Sequence, residues 1–134
     1  MLELLIVLTV CALLATLAYP GFQAAILKAR RSEALASFAQ LQMAQERHRS
    51  NHTAYASLVQ LGLPANASGR YRFSEETPTA QGFSILASAQ GAQVADASCR
   101  HLALQVDGLE TRWTSGPDTA LANGEQDNRR CWGL

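Results

Sequence analysis

The sequence predicts an α+β fold in which one long N-terminal helix packs on a four-stranded antiparallel sheet. Three observations lead to this prediction. An uncharged apolar run opens the chain and continues into an amphipathic helical pattern. Four later segments alternate apolar and polar residues, as half-buried strands do. Two cysteines, Cys99 and Cys131, then enclose the C-terminal part, which predicts a closed loop. A length of 134 residues fits a single domain.

The apolar run contains no charged residue from Leu4 to Leu27. As a helix these 24 residues would extend about 36 Å, enough to cross a hydrocarbon layer of about 30 Å. A cleaved signal peptide would begin with basic residues and have a shorter apolar stretch, so a membrane helix is the better interpretation. Glu3 stands at the head of this run, where a carboxylate either has a function or lies among lipid headgroups.

The second half of the helix is amphipathic. Pro20 and Gly21 interrupt the apolar run, where proline is expected to kink the helix or melt it locally. Good helix formers then continue to about residue 52, with an apolar stripe formed by Leu35, Phe38 and Leu41. We therefore divide the chain into a membrane or filament half, residues 1–27, and a globular domain, residues 28–134.

The sheet is predicted over residues 70–113, after a loop at 53–69. This loop carries the turn-forming residues Gly62, Pro64, Asn66, Ser68 and Gly69. The first strand alternates through Tyr71 and Phe73. The second alternates through Phe83, Ile85, Ala87 and Ala89.

A hairpin joins the third and fourth strands. Asp107-Gly108 separates two alternating runs, and Asp-Gly favours a two-residue type I′ turn. The expected cross-strand pairs are Val106 with Leu109, Leu104 with Thr111 and Leu102 with Trp113.

The segment 114–134 is predicted to be a loop closed by a disulfide. It is rich in Gly, Asp, Asn and Arg, and a loop of about 20 residues in a small domain is usually functional or tied down. Cys99 and Cys131 are either a disulfide or two separate thiols, and the preceding membrane segment favours the disulfide. Cys11, inside the apolar run, is interpreted as a small packing residue.

Catalytic and metal signatures are absent from the sequence, so no enzyme activity, metal or cofactor is predicted. His48 and His52 have the spacing of two ligands on one helix face, but no third ligand is identifiable. Asn123, Glu125 and Asp127 could offer oxygens to calcium, but their spacing is not that of an EF-hand, and turn chemistry explains them.

DNA binding is possible but disfavoured. The 11 basic residues are balanced by 11 acidic ones, which argues against a strongly basic nucleic-acid binder. Several arginines suggest a phosphate-binding surface, although a solvated strand face is the simpler interpretation. They are Arg70, Arg72, Arg100, Arg129 and Arg130.

The N-terminal region resembles that of type IV pilins. The matching segments run from Met1 to Leu8, from Ala18 to Phe22 and from Ala29 to Ala34. In that family the mature chain opens with Phe, usually Thr, two apolar residues and a Glu, so the chain starts about two residues inside the mature sequence. The segment Ala95-Asp-Ala-Ser-Cys99 before a hairpin and the Cys131-Trp132 ending are most similar to small, minor PilE-like pilins.

This resemblance implies roles for several residues. Glu3 matches the family's assembly glutamate, which pairs with the N-terminal amine of a neighbouring subunit. Pro20 and Gly21 match the position where the helix lengthens in the filament. The resemblance also implies leader cleavage with N-terminal methylation, and it places the domain outside the cell membrane. Lys28, Arg30 and Arg31 alone would favour the opposite orientation.

The function implied is that of a structural pilus subunit serving surface attachment, twitching motility or DNA uptake. Its partners would be other pilin subunits, the inner membrane before assembly and the pilus assembly machinery, and its final location the cell surface. Two alternatives stay open: a type II secretion pseudopilin and a membrane-anchored periplasmic binding domain.

Overall fold

The computed structural model describes residues 2–63 and 69–134 and has the predicted α+β fold. Two helices and four strands follow one another along the chain. They are α1 (Leu2–Arg49), β1 (Tyr71–Glu75), β2 (Gly82–Ala89), β3 (His101–Asp107), β4 (Glu110–Gly116) and α2 (Glu125–Trp132). Two short 3-10 turns, Gly91–Ala95 and Ala97–Cys99, connect β2 to β3. Of the predicted loop at 53–69, Pro64, Asn66 and Ser68 lie outside the described residues.

Helix α1 is continuous over 48 residues and passes through Pro20 without a break. Its apolar half is exposed, whereas its second half buries one stripe against the sheet. The stripe repeats every three or four residues, as one face of a helix does. Its buried members are Arg31, Ala34, Phe38, Leu41 and Gln45. The predicted stripe is thus confirmed at Phe38 and Leu41, while Leu35 lies half-buried beside it.

The sheet is an antiparallel meander in the order β1-β2-β3-β4. One face packs on α1, and alternate residues of each strand enter this core. Tyr71 and Phe73 of β1 are buried as predicted, and so are Phe83, Ile85 and Ala87 of β2. The ring centroids of Phe38 and Phe73 lie 5.2 Å apart, which joins helix and sheet at the centre of the core.

The hairpin prediction was wrong by two residues. Asp107 pairs with Glu110, so Gly108 and Leu109 form the turn, and Val106 faces Thr111. Gly108 has φ of +58°, while Leu109 is not among the residues with positive φ. This is the type II′ pattern, with Gly first, whereas a type I′ turn needs positive φ at both central positions. A slip of two residues keeps strand side chains on their predicted faces, but Leu109 lies in the turn and is fully exposed, and Thr111 is exposed as well. Of these returning residues, Trp113 packs partly buried against the core.

The C-terminal segment is shorter and more ordered than predicted. β4 continues to Gly116, and the segment 125–132 forms α2 instead of a loop. Trp132 is buried, with its ring centroid 5.1 Å from that of Phe38 and 4.6 Å from that of Trp113. The low apolar content of this segment hid the helix, because two buried residues, Cys131 and Trp132, provide its core contact.

Candidate functional site

The apolar half of α1 is exposed from Leu2 to Ala25. Its most apolar 18-residue window is wholly exposed, and by length and composition the helix could cross a membrane. Glu3 lies in its first turn and is exposed. The hydroxyl groups of Thr9 and Thr16 donate to the carbonyls of Ile6 and Leu13, both at 2.8 Å. These two hydroxyl groups are therefore satisfied within the helix, as an apolar environment requires.

Pro20 and Gly21 lie in the last third of this exposed half. Pro20 has no N–H to donate to the carbonyl four residues earlier, so the ladder lacks one hydrogen bond there. A Cβ added at Gly21 would meet no atom within 4 Å. The helix stays intact at this point in the isolated subunit, and local melting within a filament remains a prediction.

A buried polar junction holds α1 to the rest of the domain at the point where the apolar half ends. Arg31 Nη1 donates to Asp96 Oδ2 at 2.5 Å, and both side chains are largely buried. Gln93 Nε2 donates to the carbonyl of Leu27 at 3.1 Å and to Asp96 Oδ2 at 3.2 Å. The residues at which α1 leaves the domain are thereby fixed to the turns between β2 and β3.

Tyr71 extends this junction to the sheet. Its hydroxyl donates to the carbonyl of Cys99 at 3.2 Å and accepts from Gln93 Nε2 at 3.3 Å. Burial raises the pKa of Tyr71 to about 12, an effect that the Gln93 hydrogen bond partly opposes. The phenol is therefore a neutral donor at any physiological pH.

The sequence interpretation missed this junction, although a signal was present. Arg31 and Gln45 continue the spacing of the apolar stripe at either end. Gln45 is fully buried and makes two hydrogen bonds to the backbone of Ala56. Polar residues in phase with a buried stripe indicate buried partners, because such groups are not left unpaired.

The predicted disulfide is present. Cys99 and Cys131 are joined, with their Cα atoms 5.5 Å apart. Asn123 reinforces the closure, since its Nδ2 donates to the carbonyl of Ser98 at 2.7 Å and to Ser115 Oγ at 2.9 Å. α2 is thus attached to the start of β3 by a covalent bond and by hydrogen bonds.

Charges are separated along the strands. At one end of the sheet lie the first residues of β1 and β3 and the last of β2 and β4, next to Leu27 of α1. We call this the basic end, because eight basic and five acidic residues lie on it or on the segments attached to it. The basic residues are Lys28, Arg30, Arg31, Arg70, Arg72, Arg100, Arg129 and Arg130, and the acidic ones are Glu33, Asp96, Asp118, Glu125 and Asp127.

The opposite end has the reverse balance. It contains the β3–β4 turn, the last residue of β1 and the C-terminus of α1, where the Arg49 guanidinium lies over the Tyr55 ring and Tyr55 meets Phe83 edge to face. We call it the acidic end. Its basic residues are Arg47, Arg49 and Arg112, and its acidic residues are Glu46, Glu75, Glu76, Asp107 and Glu110. The zero net charge of the chain therefore conceals a domain with two unlike ends.

Within the basic end, four arginines that form no ion pair in the described part of the chain are exposed or half-exposed, namely Arg30, Arg72, Arg100 and Arg129. Arg72 lies on the outward face of β1, in one row with Ser88 and His101. Arg129 is exposed on α2. Arg100 donates its Nε to the carbonyl of Val94 at 2.7 Å. The other pairs at this end are Arg70 with Glu33 and Arg130 with Asp127.

The two candidate metal sites are not assembled. The rings of His48 and His52 stack at 3.9 Å, and His52 Nδ1 is 3.0 Å from the carbonyl of His48. No group of three ligands suited to a metal occurs among residues 2–63 and 69–134. In the proposed calcium set, the amide of Asn123 is used as a donor and Asp127 pairs with Arg130.

Comparison with known families identifies the chain. Residues 20–103 match the profile of the family described as type IV minor pilin ComP, DNA uptake sequence receptor. The match covers more than half of the chain and spans α1 from Pro20 onward, β1, β2 and the first residues of β3. The chain belongs to this family of type IV minor pilins. No curated protein matches it. The resemblance to minor type IV pilins is confirmed, and the family is one of structural pilus subunits.

The family description differs from one expectation drawn from the net charge. Zero net charge argued against a nucleic-acid partner for this minor pilin, yet the family is described as a DNA receptor. The charge separation removes the basis of that argument. The basic and acidic ends of the domain are about 20 Å apart along a strand of seven residues. This distance is more than twice the Debye length of about 8 Å.

Proposed function

We propose that this minor pilin serves DNA uptake by binding the phosphate backbone of duplex DNA at its basic end. The observation that carries the proposal is the excess of basic residues at one end, in a chain whose family is described as a DNA uptake sequence receptor. A duplex at this end would experience the local positive charge, because the acidic end lies beyond the screening distance.

Arg72, Arg100 and Arg129 are the residues that we expect to contact phosphates. Arg72 and Arg129 are exposed, and neither forms an ion pair within the described part of the chain. Arg100 is half-exposed and is held by its Nε bond to the carbonyl of Val94, a bond that does not use its terminal nitrogens. The paired arginines would contribute less, because a carboxylate already accepts from them.

The test measures duplex binding by the full chain in detergent as a function of salt. The logarithm of the association constant falls with the logarithm of the salt concentration, and each lost phosphate contact makes this slope less steep by about 0.9. We expect Arg72→Gln with Arg129→Gln to weaken binding and to reduce the slope by about 1 to 2. The matched control, Arg47→Gln with Arg112→Gln at the acidic end, should leave both unchanged. Equal effects of the two pairs, or no duplex binding by the unaltered chain, would refute the proposal.

We further propose that Glu3 directs assembly, as the resemblance to type IV pilins implies. The exposed apolar half of α1 must be covered by lipid or by protein, and a carboxylate buried with it needs a charged partner. Glu3→Ala should enter the membrane normally but be lost from sheared surface filaments. Glu46→Ala, also on α1 but outside the apolar half, is the control. Normal incorporation of the Glu3 variant would contradict the assignment.

Pro20 and Gly21 are proposed as the place where α1 opens in the filament. Pro20→Ala restores one backbone donor, so it should keep the helix continuous in a filament density map. An opened helix in that variant would show that proline is not the cause. N-terminal methylation, surface attachment, twitching motility and a pseudopilus role stay predictions from the sequence.

A further inference from the structure

We infer that, before assembly, the basic end of the domain docks on the anionic lipid headgroups of the membrane that holds α1. The inference concerns the unassembled subunit and does not depend on the DNA-binding proposal. It follows from the direction in which the apolar half of α1 leaves the domain and from the charge of the end that it leaves.

The end of the membrane-type helix coincides with the basic end. Lys28 is the first charged residue after the 24-residue uncharged run, and Arg30 follows two positions later. A span that fills the hydrocarbon layer places these two residues at headgroup depth. Both belong to the basic end, so the membrane surface and this end of the domain meet at the same level.

The buried junction prevents the domain from swinging away from that level. Gln93 is bonded to the carbonyl of Leu27, and Asp96 is bonded to Arg31. The turns between β2 and β3 are therefore fixed beside the last residues of the apolar half. Arg100, which follows these turns directly, is carried to the membrane side with them.

Charge complementarity selects the partner. Each Lys or Arg close to an anionic surface strengthens attachment about fivefold, provided that it lies within a Debye length. Lys28, Arg72 and Arg129 are the exposed bases at this end that form no ion pair in the described part of the chain, and they can bind headgroup phosphates. The acidic end lies about 20 Å further along the strands, so its repulsion from the anionic membrane surface is screened. In an inverted orientation the acidic end would face that surface and be repelled by it.

The experiment uses the full chain reconstituted in vesicles that carry a quencher on the headgroup. In a Cys11→Ser background, one fluorophore is attached at Ala92→Cys, in the exposed turn at the basic end, and in a second sample at Leu109→Cys, in the turn at the acidic end. Vesicles of pure phosphatidylcholine are compared with vesicles that contain one part phosphatidylglycerol to two parts phosphatidylcholine.

We expect the fluorophore at position 92 to be quenched at least twofold more in the anionic vesicles. Salt at about 1 M should abolish the difference, because the Debye length falls to about 3 Å. The fluorophore at position 109 should report no difference. The triple variant Lys28→Gln, Arg72→Gln, Arg129→Gln should reduce the quenching to the neutral-lipid level.

Two controls make the result decisive. Arg47→Gln with Arg112→Gln removes charge from the acidic end and should leave the quenching unchanged. Near-ultraviolet circular dichroism verifies that every variant keeps its fold. Quenching at position 92 that is independent of lipid charge would overturn the inference, whether or not the same chain binds duplex DNA. Such DNA binding would then assign the basic end to nucleic acid alone.

Discussion

Replacement of Arg31 by methionine tests whether the buried junction holds α1 to the domain. Methionine keeps much of the apolar stem but removes the guanidinium, so Asp96 loses its charged partner. The Arg31 and Asp96 side chains are only 8% and 13% exposed, and removal of one partner of a buried pair costs about 3–5 kcal/mol. Asp96 would keep one donor, Gln93, so we expect the lower value, about 3 kcal/mol.

The assay is urea unfolding of the full chain in detergent with the disulfide intact, followed by tryptophan fluorescence. Arg31→Met, Asp96→Asn and the double variant form a cycle, and the double variant should lose less than the sum by about 1–3 kcal/mol. Arg112→Gln is the control, because its pair with Glu110 is about 70% exposed and should contribute less than about 1 kcal/mol. Additive losses, or a loss at Arg31 no larger than the control, would refute the reasoning.

Three further predictions concern the domain. Cys99→Ser with Cys131→Ser opens a loop of 32 residues and should lower the free energy of unfolding by about 3.7 kcal/mol, measured by urea unfolding; an unchanged midpoint would contradict this. The pKa of Tyr71 is raised to about 12 in the folded protein and is 10.0 in the unfolded chain. The contribution of the neutral phenol to the free energy of unfolding is therefore complete below pH 10 and should be lost between pH 10 and 12. The loss should reach about 1.4 kcal/mol per pH unit, and tyrosinate absorbance should show one late-titrating tyrosine. Gly82→Ala would place a Cβ 2.0 Å from a backbone oxygen of β3 and should destabilise by about 2 kcal/mol or more, unlike Gly124→Ala, where no atom lies within 4 Å.

The regular elements could be predicted from the sequence because their apolar residues recur at a fixed period. The stripe through Phe38 and Leu41 and the alternation through Tyr71 and Phe73 each determine which face is buried. The strands lie in the sheet in their sequence order, as consecutive strands usually do. These periodic patterns are local, so they can be recognised in one sequence without knowledge of contacts between distant residues.

Other features depend on contacts between distant residues. The β3–β4 turn was assigned to Asp-Gly by local chemistry, but pairing along the whole hairpin favoured Gly108-Leu109. α2 has few apolar residues, and its stability comes from Trp132 against Phe38 and from the disulfide. The charge separation was invisible in the net charge, since it arises when the strands align their ends.

Because α1 is held to the domain at Arg31, a small rotation at this junction produces a large displacement at the N-terminal tip of the helix. The helix extends 25 residues beyond Leu27, or about 37 Å at a rise of about 1.5 Å per residue. A rotation of about 10° at the junction moves the far tip by about 6 Å, slightly more than one helical turn of about 5.4 Å. Small repacking between the sheet and Arg31 therefore shifts Glu3 by a distance that changes which neighbouring group it can reach.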